Sequence, residues 1–400
     1  MIQAQLSVFS ELPFDIEDPE KIAVAWSGII EPGDPTARLL IRAVGQKKAL
    51  LWAFDPAPMA PQQQANWGDL DPQTRAAADA VPWSKVHKRW HQRACALDVR
   101  GYLEMGRRLG ARVLAPAMKH WPAGLAILED REPLALWVRG EGSLEQLNSA
   151  AVALVGARAS TAYGNRIAEA FATDLTAAGF PVVSGGAYGI DTAAHRGALA
   201  APTGFPRGIA VLCGGVGNLY PAGNEQLFRE LMLGGLVVSE VPPNWRPARW
   251  RFLERNRVIA ALSSVTVVVE AGVRSGAIAT ANRAVDLGKY VGAVPGPISS
   301  PTSGGCHQLL REGAHLISGV ADVFSLLRGD EPELQATDPA AYSLTPAARV
   351  VWAAFPLSRR AGVAELALEA GLGHEEVEVA LLEMQLRGLV RPAGDTWERL

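Results

Sequence analysis

Residues 151–191 read AVALVGARASTAYGNRIAEAFATDLTAAGFPVVSGGAYGID, and they hold one full period of the pattern on which the middle of the chain is built. Two short Val-rich runs, AVALVG (151–156) and PVVSGG (181–186), each end in glycine. Between them, residues 161–178 carry apolar side chains at helical spacing, with Ser160 or Thr161 placed to cap a helix. Apolar runs this short, bounded by glycine and alternating with helices, are strands buried on both faces of a parallel sheet. The pattern recurs at GIAVLCGG (208–215), GGLVVSE (234–240), SSVTVVVE (263–270) and YVGAVPG (290–296). Helical segments separate these runs at about 191–200, 224–233, 253–262 and 276–287. The expected fold is α/β, a doubly wound parallel sheet. Ligands of such sheets bind outside the carboxyl ends of the strands, where the Gly-rich turns lie.

The 400 residues exceed what one core usually serves. Residues 1–115 read as a helical domain, clearest over Ser84–Leu109, and 116–328 as the α/β core. The segment 329–342 is acidic, contains proline and has no periodicity, so it reads as a linker. Residues 343–400 give three helical patterns, Thr345–Phe355, Val363–Glu369 and Glu375–Arg387, then a Gly-bounded strand pair, the winged-helix arrangement. Hydrophobic residues make up 48 %, charged residues 20 % and the mean hydropathy is +0.08, which excludes a disordered chain. The absence of a long apolar run argues against a membrane span, and the first twenty residues lack the pattern of a signal peptide. Cys95, Cys213 and Cys306 are odd in number and far apart, so neither a disulfide framework nor a zinc cage is expected, and a reducing cytoplasm is the default. His87 and His91 share one helical face, but no further ligands accompany them.

Net charge is −3 overall, yet residues 150–328 hold 15 Lys+Arg against 11 Asp+Glu, and 14 of those cations are arginine, the better residue for phosphates. Four loops gather them. The first carries Arg158 and Ser160 where a strand turns into a helix, and a helix N-terminus favours anions. The second, Ser184-Gly185-Gly186-Ala187-Tyr188-Gly189-Ile190-Asp191, has glycines able to form a nest of N–H groups. The third, RPARWRFLERNRVIAAL (246–262), contains five arginines, including Arg251, Arg255 and Arg257, beside Asn256 and the aromatic residues Trp250 and Phe252. The fourth, VVVEAGVRSGAIATANRAV (267–285), carries Arg274 and Ser275 at a turn. Such a row suits several consecutive phosphates better than one.

Catalytic signatures are missing: there is no GxSxG, Walker lysine, HExxH or CxxC, and the GxGxxG spacing of a dinucleotide site is absent. Asp191 and His195 read as a cap and a packed side chain, and Glu240 and Glu270 as caps or partners of the arginines. No enzyme activity, cofactor or metal is expected.

The motifs VALVGARASTAYG, SGGAYGIDTAAHRGAL, GIAVLCGGVGNLYPAGN, VVSEVPP, RFLERNRVIAAL, VVVEAGVRSGAIATA and AVPGPISSPTSGGCHQLLREGA stand in the order typical of one family. The chain resembles DNA-processing protein A (DprA, also called Smf) of bacterial natural transformation, densely over Trp121–Val323. The resemblance implies a small helical domain like a sterile-alpha-motif fold, followed by an extended Rossmann-like α/β core with a parallel sheet. It also implies sequence-independent binding of single-stranded DNA in a basic pocket, a homodimer, displacement of single-strand-binding protein and loading of the recombinase RecA. Pocket positions carried over are Arg158, Ser160, Ser184, Gly185, Gly186, Tyr188, Arg251, Arg255, Asn256, Arg257, Arg274 and Ser275.

The chain departs from the family pattern at Tyr188, usually Arg, at Gly186, usually a bulky apolar residue, and at Leu253, usually Pro. Its third C-terminal helix holds Glu375, Glu376, Glu378 and Glu383 against Arg387, which duplex phosphates would repel, so that segment reads as a partner-binding or dimer-supporting module. The competing reading is a nucleotide-processing enzyme of the phosphoribohydrolase and lysine-decarboxylase-like group. Its PGGxGTxxE signature is not found near EAGVRSGAIATAN.

Overall fold

A computed structural model of the chain describes residues 12–63, 67–68, 70–116, 118–148, 150–202, 207–330, 344–356 and 360–399. Two compact units result, residues 1–332 and 333–400. The expected linker, beyond Asp330, lies outside the described residues.

The first unit begins with helices α1 (Pro19–Ile29), α2 (Pro35–Val44), α3 (Gln46–Phe54), α4 (Pro72–Asp79), α5 (Trp83–Cys95) and α6 (Val99–Arg108). Asp18, Asp34 and Asp71 cap α1, α2 and α4, each followed by a first-turn proline whose missing N–H costs nothing there. The single helix expected over 84–109 is two helices, because the Asp98 carboxylate accepts the Gly101 N–H at 2.8 Å and starts a new one. Trp26, Trp52, Trp67, Trp83 and Trp90 meet edge to face with ring centroids 5.7–6.0 Å apart. That apolar cluster continues without a break into Trp137, Phe228 and Val237 of the sheet region.

The sheet consists of β1 (Ala111–Leu114), β2 (Leu136–Arg139), β3 (Val152–Val155), β4 (Val182–Ser184), β5 (Gly208–Leu212), β6 (Leu236–Ser239), β7 (Val265–Val268), β8 (Tyr290–Ala293) and β9 (His315–Leu316). Helices alternate with them: α7 (Leu144–Asn148), α8 (Ala162–Ala177), α9 (Ile190–Ala200), α10 (Glu225–Leu231), α11 (Arg249–Leu262), α12 (Gly276–Asp286), α13 (Gly304–Arg311) and α14 (Val320–Arg328). The spatial order is β1-β2-β6-β5-β4-β3-β7-β8-β9, parallel from β6 to β9, while β1 and β2 add two antiparallel strands that the sequence pattern did not announce. Alternation within β3 assigns the faces. Val152 and Leu154 pack with Phe171 and Leu175 of α8, and Ala153 and Val155 with Val258 and Ile259 of α11. After β3 the chain winds toward β6, then crosses back through α11 to β7, so the strand order reverses between β3 and β7. The loops following β3, β4, β5, β6, β7 and β8 therefore share the carboxyl edge.

The second unit is a separate small fold: α15 (Pro346–Ala354), β10 (Arg360–Ala361), α16 (Val363–Ala370), α17 (His374–Leu386), β11 (Val390–Ala393) and β12 (Thr396–Arg399), with strands ordered β10-β12-β11. Leu344, Val351, Leu366, Val377, Leu381 and Met384 form its own core. Among the described residues no helix is long and apolar enough to cross a membrane.

Candidate nucleic-acid interface

The two glycine loops reach the carboxyl edge as expected, but internal carboxyl groups occupy the anion positions they create. At the start of α8, Glu270 accepts the Thr161 N–H at 2.8 Å and the Thr161 hydroxyl at 2.6 Å. A Cβ on Gly164 would stand 2.3 Å from Glu270 Oε2, so glycine is needed for that approach. In the second loop Asp191 accepts the Ala187 N–H at 3.2 Å. Burial pushes the Asp191 carboxyl up, against the pull of the Arg255 charge and of hydrogen bonding within the loop. A helix N-terminus and a nest that in principle could take phosphate are thus filled from within.

Arg255, Asn256 and Arg257 in the middle of α11 are buried, and each ties down a different part of the edge. Arg255 donates to the carbonyls of Gly185, at 2.7 Å, and Val211, joining the ends of β4 and β5. Asn256 donates to the Gly276 carbonyl at 3.3 Å, where α12 begins. Arg257 makes a two-pronged ion pair with Glu240 after β6, both contacts 2.6 Å, and donates to the Arg131 carbonyl. Arg251 is equally engaged. It pairs with Glu31 at 2.8 and 3.0 Å and stacks on Trp245. Burial raises the Glu31 carboxyl, but hydrogen bonds from Arg251, Trp250 and Arg93 and the Arg251 charge outweigh it and leave the group lowered.

The sequence reading named Arg251, Arg255, Asn256 and Arg257 as pocket positions; in the structure all four are buried and engaged within the protein. Ser184 too is fully buried, with its hydroxyl donating to the Leu154 carbonyl at 2.7 Å. Gly185 lies against the Arg255 guanidinium, and Gly186 sits at φ +68° against the Phe228 ring. Ser160 donates to Asn165, and the Ser275 hydroxyl caps α12. His195 is buried with both ring nitrogens unpartnered, and burial, with the nearby Arg255 charge, depresses it to about 4.

What remains outside forms a row. Arg158 after β3, Arg246 after β6, Arg249 in the first turn of α11 and Arg274 after β7 are exposed, and none has a carboxylate partner among the described residues. The Arg158 guanidinium lies over the Phe252 ring, 4.8 Å from its centroid, and Phe252 meets Tyr220 edge to face at 6.1 Å. Tyr188 and Trp250 are exposed on the same edge. Of the arginines expected to line the pocket, Arg158 and Arg274 are exposed on the loops after the adjacent strands β3 and β7, while Arg255 turns into the core. Tyr220 was missed. Its signal is the aromatic residue closing GGVGNLYP (214–221) at a strand's carboxyl end. Among the described residues no group of three His, Cys, Asp or Glu stands ready to hold a metal.

Fold and edge define a Rossmann-like α/β protein whose glycine loops are closed to phosphate by its own carboxyl groups and whose rim presents arginine and aromatic side chains. Residues 112–328 match the family described as DNA recombination-mediator protein A. A DprA-type protein of Mycobacterium tuberculosis is 41 % identical over 314 residues, covering 74 % of this chain and 79 % of that one. Protein Smf of Escherichia coli is 37 % identical over 276 residues, covering 67 % and 72 %. The X-ray structure of DprA from Streptococcus pneumoniae superposes with a TM-score of 0.59 at 28 % identity, over 78 % of this chain and 98 % of that one. The chain belongs to the DprA family.

Proposed function

We propose that this protein binds single-stranded DNA without sequence readout and, as a recombination mediator, hands the strand to RecA, displacing single-strand-binding protein. It acts in the cytoplasm during natural transformation, as a homodimer, and without catalysis. The observation that carries the binding reading is the outer row. Four exposed arginines, none paired with a carboxylate among the described residues, stand on the loops of one sheet edge together with Tyr188, Tyr220, Trp250 and Phe252. Guanidiniums engage the backbone of any sequence, and aromatic rings stack on any base once it is unpaired. The family's description as recombination mediator supports the step to RecA.

The non-enzymatic reading is supported by Glu270 and Asp191, which take up the N–H groups a nucleotide phosphate would need in the phosphoribohydrolase-like alternative. The test is a salt titration of binding to single-stranded homopolymers and to duplex of equal length. Single strands should be preferred, homopolymers should bind alike, and log affinity should fall with log salt at about −0.7 per neutralised phosphate, near −3 for four arginines. A flat salt dependence or a duplex preference refutes the binding reading. Release of free base from nucleoside monophosphates refutes the non-enzymatic one.

A further inference from the structure

Helix α17 (His374–Leu386) carries two apolar faces, and the fold covers one of them. Val377, Ala380, Leu381 and Met384 are packed in the core of the second unit. On the outer side Val379, Leu382 and Leu386 are 68 %, 54 % and 90 % exposed. Their spacing, with Glu375 one turn ahead of Val379, aligns the four residues in a narrow stripe about 17 Å long. A helix apolar on both sides normally has both sides covered. Carboxylates border this stripe. Glu378 lies on one flank, Glu376 and Glu383 on the other, and Glu375 at the N-terminal end. Glu383 is committed to Arg387 at 2.9 Å and to Thr345, and Glu376 caps its own helix by accepting the Gly373 N–H, while Glu375 and Glu378 have no cationic partner among the described residues.

The geometry points to a docking face for a partner protein that presents an amphipathic helix with an apolar stripe flanked by Lys or Arg. Charge selects that occupant. Duplex DNA would bring phosphates against Glu375 and Glu378. A second copy would bring this same patch against itself, since a twofold contact is self-complementary, and its one cation, Arg387, is already neutralised by Glu383. A basic amphipathic helix matches both the stripe and its border.

The probe is a 14-residue designed peptide with Leu at helical spacing and Lys on both flanks, its counterpart with Glu flanks, and the full chain, measured by fluorescence anisotropy. The Lys peptide should bind and the Glu peptide should bind at least tenfold more weakly. Leu382→Asp with Leu386→Asp should cost the Lys peptide at least tenfold, with unchanged thermal unfolding because both side chains face solvent. Glu375→Lys with Glu378→Lys should reverse the preference toward the Glu peptide. The proposal falls if the Lys peptide fails to bind, or binds the Leu382→Asp, Leu386→Asp chain as well as the parent. It falls equally if those substitutions dissociate a dimer in sedimentation, which would make the occupant a second copy, or abolish duplex binding, which would make it DNA.

Discussion

Arg274 and Arg257 are both among the pocket positions carried over from the sequence, and the structure gives them opposite duties. Arg274 is exposed, with no carboxylate partner among the described residues. Replacing it by alanine should leave stability within about 0.5 kcal/mol. It should remove one phosphate contact, lowering the salt slope by about 0.7, from about −2.8 to −2.1 for four arginines. Between 50 and 200 mM salt the parent should lose about 50-fold in affinity and the variant about 20-fold. Arg257 is different. Its side chain is 3 % and that of Glu240 10 % exposed, and the pair shares two 2.6 Å contacts. Arg257→Ala strands a buried carboxylate, at a cost of about 3–5 kcal/mol. With unfolding entropy of about 2.1 cal/mol/K per residue over the first unit, the melting temperature should fall by about 6 °C. At a temperature where the variant is folded, its salt slope should equal the parent's. The assays are homopolymer titration by anisotropy and thermal unfolding by circular dichroism. If Arg257→Ala flattens the slope while melting like the parent, or Arg274→Ala leaves the slope untouched, the division of the arginines into inner and outer sets is wrong.

Tyr188→Ala should weaken binding to every homopolymer by about 1 kcal/mol with the salt slope unchanged, whereas Tyr188→Arg should steepen the slope; both are read in the same titration. His195 is held near 4, below its unfolded value of 6.5, so the unfolded chain takes the proton first. Its stabilising effect is complete above pH 6.5 and is lost as pH falls toward 4, by about 3 kcal/mol in all. Denaturant unfolding across that window should therefore be flatter in His195→Leu than in the parent, after allowing for Asp191, whose raised carboxyl acts in the opposite sense. Gly186→Leu should destabilise by several kcal/mol, because φ is +68° and a Cβ would stand 2.4 Å from the Phe228 ring. Combined with Phe228→Ala, the loss should be smaller than the sum of the single losses by more than 1 kcal/mol in a double-mutant cycle.

The parallel part of the sheet was legible because strands buried on both faces leave an apolar run with no competing signal, as in VALV (152–155) and VTVV (265–268). β9 was not, since two residues carry no periodicity, and β2 was not, since LWVR (136–139) pairs antiparallel at an edge that no local pattern identifies. Arg158 and Arg274 were legible from their place in strand-to-helix turns, whereas Arg246 and Arg249 stood out only as members of the Arg-rich segment 246–262 and were not among the carried-over positions. The inward turn of Arg251, Arg255 and Arg257 was hidden, because their acceptors are Glu31, the Gly185 and Val211 carbonyls, and Glu240, brought close only by the fold. Glu270 could have been recognised. An acid at the tip of the strand neighbouring a glycine loop is placed to accept that loop's N–H groups.

On the proposed reading, the filled anion seats turn a Rossmann-like fold toward a strand rather than a nucleotide. A phosphate held in a nest is fixed in one position, and its sugar and base are fixed with it, which favours a single small ligand. With Glu270 and Asp191 in those positions, anion binding passes to side chains on the loops. Those loops leave β6, β5, β4, β3 and β7 in spatial order, strand beside strand. On the proposed reading each exposed guanidinium would follow its phosphate as the strand shifts by a base, and the exposed rings of Tyr188 and Tyr220 would accept whichever base arrives. Sequence tolerance then needs no further device. It follows from replacing rigid backbone donors with side-chain charges, and it would be lost if Glu270→Ala opened the α8 N-terminus to a fixed phosphate.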